Sequence, residues 1–159
     1  MNLDRLNLVD TAEAKAELLK CCSSKKWVDQ ILGYRPFETP AEVLSVSENV
    51  WFKLDHADWL EAFNAHPRIG DISSLRRSFA STESLAENEQ SGVNRASEGT
   101  LKALAQGNQD YENKFGFIFI VCATGKSAEE MLHLLTQRIS NEPEEELTIA
   151  AKEQNKITK

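Results

Sequence analysis

Only one stretch of this chain, Phe117–Ala123 (FIFIVCA), has the composition of a β-strand, and one strand cannot make a sheet. The rest is punctuated for helices. Asp10 with Glu13 three residues on reads as a capping box, opening a helix through Ala14, Leu18 and Leu19 to the cysteines. Ser24 caps a short helix carrying Trp27, Ile31 and Leu32, with Gly33 as its C′ stop. Thr39-Pro40 supplies an N-cap and a proline at the first helical position, ahead of Val43, Leu44, Val50, Trp51 and Phe52. Asp55 caps the next helix, with Trp59, Leu60 and Phe63 at helical spacing. It ends near His66-Pro67, because proline disfavours the α region for the residue before it. Ser81 begins a helix through Leu85 towards Gly92, and Leu101, Leu104 and Ala105 mark a long one ending near Phe115-Gly116. Ser127 and Glu130 form a further capping box before Met131, Leu134, Leu135 and Ile139. Pro143 opens the last helix, through Leu147, Ala150, Ala151 and Ile157. The expected fold is all-α, a single-domain bundle of about seven to nine helices over residues 1–159. Within it, Phe117–Ala123 is a buried apolar helix or an extended core segment.

A domain of this length buries about 68–70% of its unfolded surface. Its 41% hydrophobic and 27% charged residues fit an ordinary globule and not a disordered chain. Lys and Arg number 18 against 25 Asp and Glu, a formal net charge of -7. Such a chain lacks the positive field that phosphate backbones require, so no nucleic-acid partner is expected. No apolar run approaches the roughly 18 residues of a membrane span, so no membrane partner is expected either. Met1-Asn2-Leu3-Asp4-Arg5 carries an acid early and begins no apolar run, which argues against a secretory signal. Three cysteines, two adjacent at Cys21-Cys22, make neither a disulfide framework nor a four-ligand zinc site. The chain reads as intracellular and reduced.

Three segments could carry chemistry. In Ala65-His66-Pro67-Arg68-Ile69-Gly70-Asp71, a histidine stands where a helix must break, on a corner stiffened by Pro67. An imidazole held there can act as general acid or base near neutral pH, or simply bond a backbone carbonyl at the helix terminus. In Ser84–Gly92, Glu89 and Gln90 pair an acceptor-only carboxylate with an amide that donates and accepts. Together they either read a polar heterocycle or form a solvated helix face. Glu87 and Glu89, two residues apart, point about 200° from each other around a helix, so they should not share a face. The apolar run before Gly125-Lys126-Ser127 lacks the earlier glycine of a phosphate loop, since Ile120 stands there. It either offers backbone groups to a ligand or packs in the core. His56 and His133 have no partner at ligand spacing, so no metal is expected. Cys122, in an apolar run with no basic neighbour, reads as a buried inert thiol, and Trp27, Trp51 and Trp59 read as core.

With His66-Pro67-Arg68-Ile69-Gly70, Glu89-Gln90 and Lys114-Phe115-Gly116-Phe117 in order, the chain resembles the OHCU decarboxylases. The likeness continues through Arg138-Ile139-Ser140-Asn141, Glu146-Leu147 and Lys156-Ile157-Thr158. Members convert 2-oxo-4-hydroxy-4-carboxy-5-ureidoimidazoline (OHCU) to (S)-allantoin, the last step of urate breakdown. The resemblance therefore implies a carbon–carbon lyase on an all-helical bundle, commonly a homodimer, working without metal or organic cofactor. It makes His66 the catalytic histidine and Pro67 its neighbour in the site. It makes Glu89 the acidic partner that orients His66, and Gln90 a substrate-binding amide. It surrounds the substrate with two segments, Ala86, Glu87, Asn88, Glu89 and Gln90, and Phe119, Ile120, Val121, Cys122 and Ala123.

The resemblance also implies an arginine a few residues beyond Lys-Ile-Thr, and no residue up to Lys159 is equated with it. In some relatives the domain is joined to a transthyretin-like hydroxyisourate hydrolase, so residues 1–159 could form the N-terminal part of a longer or fused chain. Animal members end in a peroxisomal signal. The ending Lys156-Ile157-Thr158-Lys159 is not Ser-Lys-Leu, which favours the cytoplasm over the peroxisome. Two other readings compete, a helical binding module and a hydrolase acting on a related ureido ring. Carbon dioxide release separates them from the lyase.

Overall fold

The computed structural model describes residues 2–68, 73, 75 and 93–159. Among the described residues there are eight helices and no strand. They are α1 (Leu3–Leu8), α2 (Thr11–Cys21), α3 (Lys25–Leu32), α4 (Pro40–Lys53), α5 (His56–Asn64), α6 (Val93–Phe115), α7 (Ala128–Arg138) and α8 (Pro143–Thr158). The chain divides into two compact units, Met1–His66 with Ile149–Lys159, and Pro67–Thr148.

Most helix starts lie where the capping residues put them. Ser24, Thr39 and Asp55 each accept a backbone N–H three residues on, and Asp55 and Asp58 complete a reciprocal box. Ser127 and Glu130 do the same for α7. Asp10 accepts from the Glu13 N–H at 2.8 Å, but only half of its expected box forms. The Glu13 carboxylate turns away to Arg5, 2.6 Å distant. That arginine belongs to α1, a helix capped by Asn2 that the apolar spacing did not reveal because it spans six residues. Gly33 also differs from expectation. It sits at φ −68 in the right-handed region, because α3 ends by tightening into i→i−3 turns and needs no left-handed residue. Gly116 does use its freedom, ending α6 at φ 80. The helix expected from Ser81 lies outside the described residues.

In the first unit α3 packs against α2, α4 and α5. The three tryptophans form its core, and each indole N–H finds a carbonyl there. Trp27 donates to Ser47 at 3.2 Å, Trp51 to Ala151 at 2.8 Å and Trp59 to Trp51 at 2.9 Å. Trp51 also lies 6.1 Å from the Trp59 ring and meets Phe63 edge-on. Burying aromatic side chains of this size stabilises by about 1.5–3 kcal/mol each. In the second unit α6 packs against α7, over Leu104, Tyr111, Met131 and Leu135. Their approach is close at Gly107, where an added Cβ would overlap Leu135 Cδ2.

The inward face of α8 is not purely apolar. Ile157 is exposed, whereas Glu146, Gln154 and Asn155 are buried with Ala150 and Ala151. Burying a carboxylate and two amides is tolerable only if their polar atoms find partners.

Candidate active site

His66 follows the last turn of α5, where the His66 N–H still reaches the Phe63 carbonyl at 3.2 Å. Pro67 then removes the next donor and takes the chain away. The imidazole is half-buried, and its Nε2 lies 2.5 Å from Oε1 of Gln154 on α8. Gln154 is almost wholly buried, and its Nε2 donates to the Thr158 hydroxyl at 3.2 Å. The partner of His66 is thus a side-chain amide rather than the backbone carbonyl that a helix-terminal histidine would use. His56 and His133 are exposed, and His56 stacks on Trp59.

Pro67 itself is exposed, and Arg68 pairs with Glu112 at 2.7 Å. The second candidate segment lies outside any helix, with Phe117 and Ile120 buried and Phe119, Val121 and Cys122 half-buried. Two cations hold its backbone. Arg138 Nη1 donates to the Ile120 carbonyl at 2.6 Å, and Lys126 Nζ donates to the Cys122 carbonyl at 2.7 Å. Cys122 therefore has a basic neighbour after all, although Lys126 engages its carbonyl and not its sulfur. Ala123, at the end of the segment, is exposed.

Arg138 is itself fixed. Its guanidinium lies 4.5 Å from the Phe119 ring centroid, its Nε donates to Glu146 Oε1 at 2.6 Å, and its Nη2 lies 2.5 Å from the same oxygen in an ion pair. The Tyr111 hydroxyl donates to the same oxygen at 2.5 Å, and Asn141 Nδ2 donates to Oε2 at 3.0 Å. Burial and the adjacent carboxylate push the Tyr111 phenol well above its usual range, so it remains a donor. One buried carboxylate thereby anchors the arginine that holds the Ile120 backbone.

Ala86, Glu87, Asn88, Glu89 and Gln90 lie outside the described residues. Sequence reasoning missed Gln154. The available signal was a polar residue three and four positions after Ala151 and Ala150, in register with the apolar face. Among the described residues no group of three or more His, Cys, Asp or Glu side chains could hold a metal ion.

The model of the OHCU decarboxylase family matches residues 7–159. The chain is 42% identical over 141 residues to the uric acid degradation bifunctional protein TTL of Arabidopsis thaliana, covering 87% of this chain and 43% of that protein. It is 34% identical over 92 residues to the OHCU decarboxylase of Amia calva, covering 58% of this chain and 52% of the relative. The chain thus spans about half or less of the length of these relatives. A crystal structure of OHCU decarboxylase in the presence of (S)-allantoin matches at 38% identity and a TM-score of 0.70, over 89% of this chain and 91% of that one. With an all-helical architecture, a histidine fixed at the end of α5 and a family match from residue 7 to residue 159, the chain belongs to the OHCU decarboxylase family.

Proposed function

We propose that this protein is a cofactor-independent carboxy-lyase that converts OHCU to (S)-allantoin in urate degradation. The observation that carries the reading is the family match along residues 7–159, which includes His66. The similar OHCU decarboxylase crystal structure, determined in the presence of (S)-allantoin, supports the product side.

The substrate explains how the reaction runs on side chains alone. One ring carbon carries both the hydroxyl and the carboxylate. When carbon dioxide leaves, the electrons of the broken C–C bond form a double bond to the neighbouring ureido-bearing carbon. The imine electrons there move onto the ring nitrogen. That nitrogen takes a proton, and proton return to the ureido-bearing carbon with loss of the hydroxyl proton gives the carbonyl of allantoin. His66 takes the hydroxyl proton or returns the proton to one face, and facial delivery sets the S configuration. Positioned acid–base help of this kind contributes about 10²–10⁴ in rate. Glu89 acts beside His66, and Gln90 binds the substrate. Ala86–Asn88, Pro67 and Phe119–Ala123 line the site, the last segment presenting a backbone held by Arg138 and Lys126.

The protein acts on a small molecule as a homodimer, in the cytoplasm rather than the peroxisome. It is fused to, or cooperates with, a transthyretin-like hydroxyisourate hydrolase. Relatives that are bifunctional uric acid degradation proteins support a second activity of the same pathway beside this one. Among the described residues no helix is long and apolar enough to cross a membrane.

The test feeds freshly generated urate-oxidation intermediates to the protein and follows chiral allantoin by circular dichroism. Wild type should release carbon dioxide and give (S)-allantoin. His66→Asn should lose about 10² or more in rate. Glu89→Gln should abolish activity while Glu87→Gln keeps it. Ring opening without carbon dioxide would make the protein a hydrolase, and neither product would make it a binding module.

A further inference from the structure

Gln154 faces His66 with an atom whose identity can be derived. The Thr158 hydroxyl has one hydrogen, and it is directed to the Gln154 backbone carbonyl at 3.0 Å, which can only accept. The Thr158 oxygen is therefore left to accept, and its partner at 3.2 Å must be the amide nitrogen of Gln154. That fixes the amide orientation, with Oε1 turned to the imidazole. An amide oxygen cannot donate, so His66 Nε2 must carry the hydrogen. The buried Cys22 thiol lies against the same Thr158 hydroxyl and, held up to about 11 by burial, brings no charge to the relay.

We propose that Gln154 is a positioning residue that holds His66 in its Nε2–H tautomer and leaves Nδ1 as the nitrogen that exchanges protons with substrate. The inference rests on the assignment of His66 as the proton-transfer group and adds which nitrogen acts and what fixes it. Gln154 is almost wholly buried, so its oxygen would otherwise lack a donor, and the pair holds the ring orientation as well as its proton. When Nδ1 takes a proton, the Nε2–H bond to Oε1 remains, so the ring charges without turning. A neutral amide in this role differs from the carboxylate that orients the histidine of a hydrolase triad.

The first test needs no variant. Ring ¹⁵N spectra of the ligand-free protein, recorded where the imidazole is neutral, should show His66 protonated at Nε2, with that proton protected from exchange. An Nδ1–H tautomer would overturn the proposal while leaving the assignment of His66 intact. The second test compares Gln154→Leu with Gln154→Glu. The leucine variant should lose the protected ring proton and about tenfold in kcat, the value of one hydrogen bond, with KM little changed. The glutamate variant, which keeps an acceptor, should restore the protected proton. Wild-type kcat in a folded Gln154→Leu protein would overturn the positioning role. Unchanged activity in His66→Asn would instead remove the assignment on which it rests.

Discussion

Arg138 meets Glu146 in the interior: the glutamate side chain is 0% exposed and the arginine side chain 9%. The pair spans eight residues and joins the end of α7 to the first turns of α8. Both Nε and Nη2 converge on one carboxylate oxygen, which also takes the Tyr111 hydroxyl. Removing the carboxylate alone should therefore cost more than removing both charges. We expect Glu146→Ala to lose about 3–5 kcal/mol of unfolding free energy, and Arg138→Met with Glu146→Leu to lose much less. Urea denaturation of the two proteins decides the point, and equal losses would mean that the pair is not desolvated as described.

Cys22 gives a pH dependence. Burial pushes its thiol up to about 11 from the ordinary value of 9.0. The folded state keeps its proton longer than the unfolded chain, so stability is full below pH 9 and falls as pH rises towards 11. At most about 2–3 kcal/mol rides on this group. Cys22→Ala should flatten the alkaline limb of a stability–pH curve. The same burial should leave Cys22 unreactive to iodoacetamide under native conditions while the exposed Cys21 is alkylated.

At Gly107 two effects oppose each other. Alanine would gain about 1 kcal/mol of helix propensity. Its methyl group would overlap the buried Leu135, an overpacking worth about 1–3 kcal/mol. Gly107→Ala should therefore destabilise wild type, yet stabilise a Leu135→Ala background in which the overlap is gone. A double-mutant cycle by chemical denaturation reads the coupling. Stabilisation by Gly107→Ala in the wild-type background would refute the close approach.

The two capping sites should respond differently. Glu130 returns a bond to the Ser127 N–H at 3.1 Å, whereas Glu13 is committed to an exposed ion pair with Arg5. Glu130→Ala should cost about 0.5–1 kcal/mol and Glu13→Ala nearly nothing. Melting temperatures of the two variants should show this order, and the reverse order would contradict the half-formed box at Asp10.

What the sequence made legible was local. Ser24, Asp55 and Ser127 cap because the N–H they satisfy lies three residues away. His66 stands out because Pro67 follows it. The partner of His66 lies 88 residues further on, and no short-range rule connects them. Glu146 hid for a different reason. Hydropathy places a carboxylate in solvent, and the arginine eight residues earlier, with Tyr111 and Asn141, makes its burial possible. Ile157 lies outward despite its hydropathy, because α8 turns its amides to the core.

The manner in which Phe117–Ala123 is held has a consequence for solubility. Seven residues of this composition, outside any helix and without a ladder partner among the described residues, are what cross-β assembly recruits. The carbonyls of Ile120 and Cys122 are both occupied by cations. A second chain that approached them would find these acceptors already taken. Arg138 and Lys126 thus act as gatekeepers against edge-to-edge fibril growth, although neither interrupts the run itself.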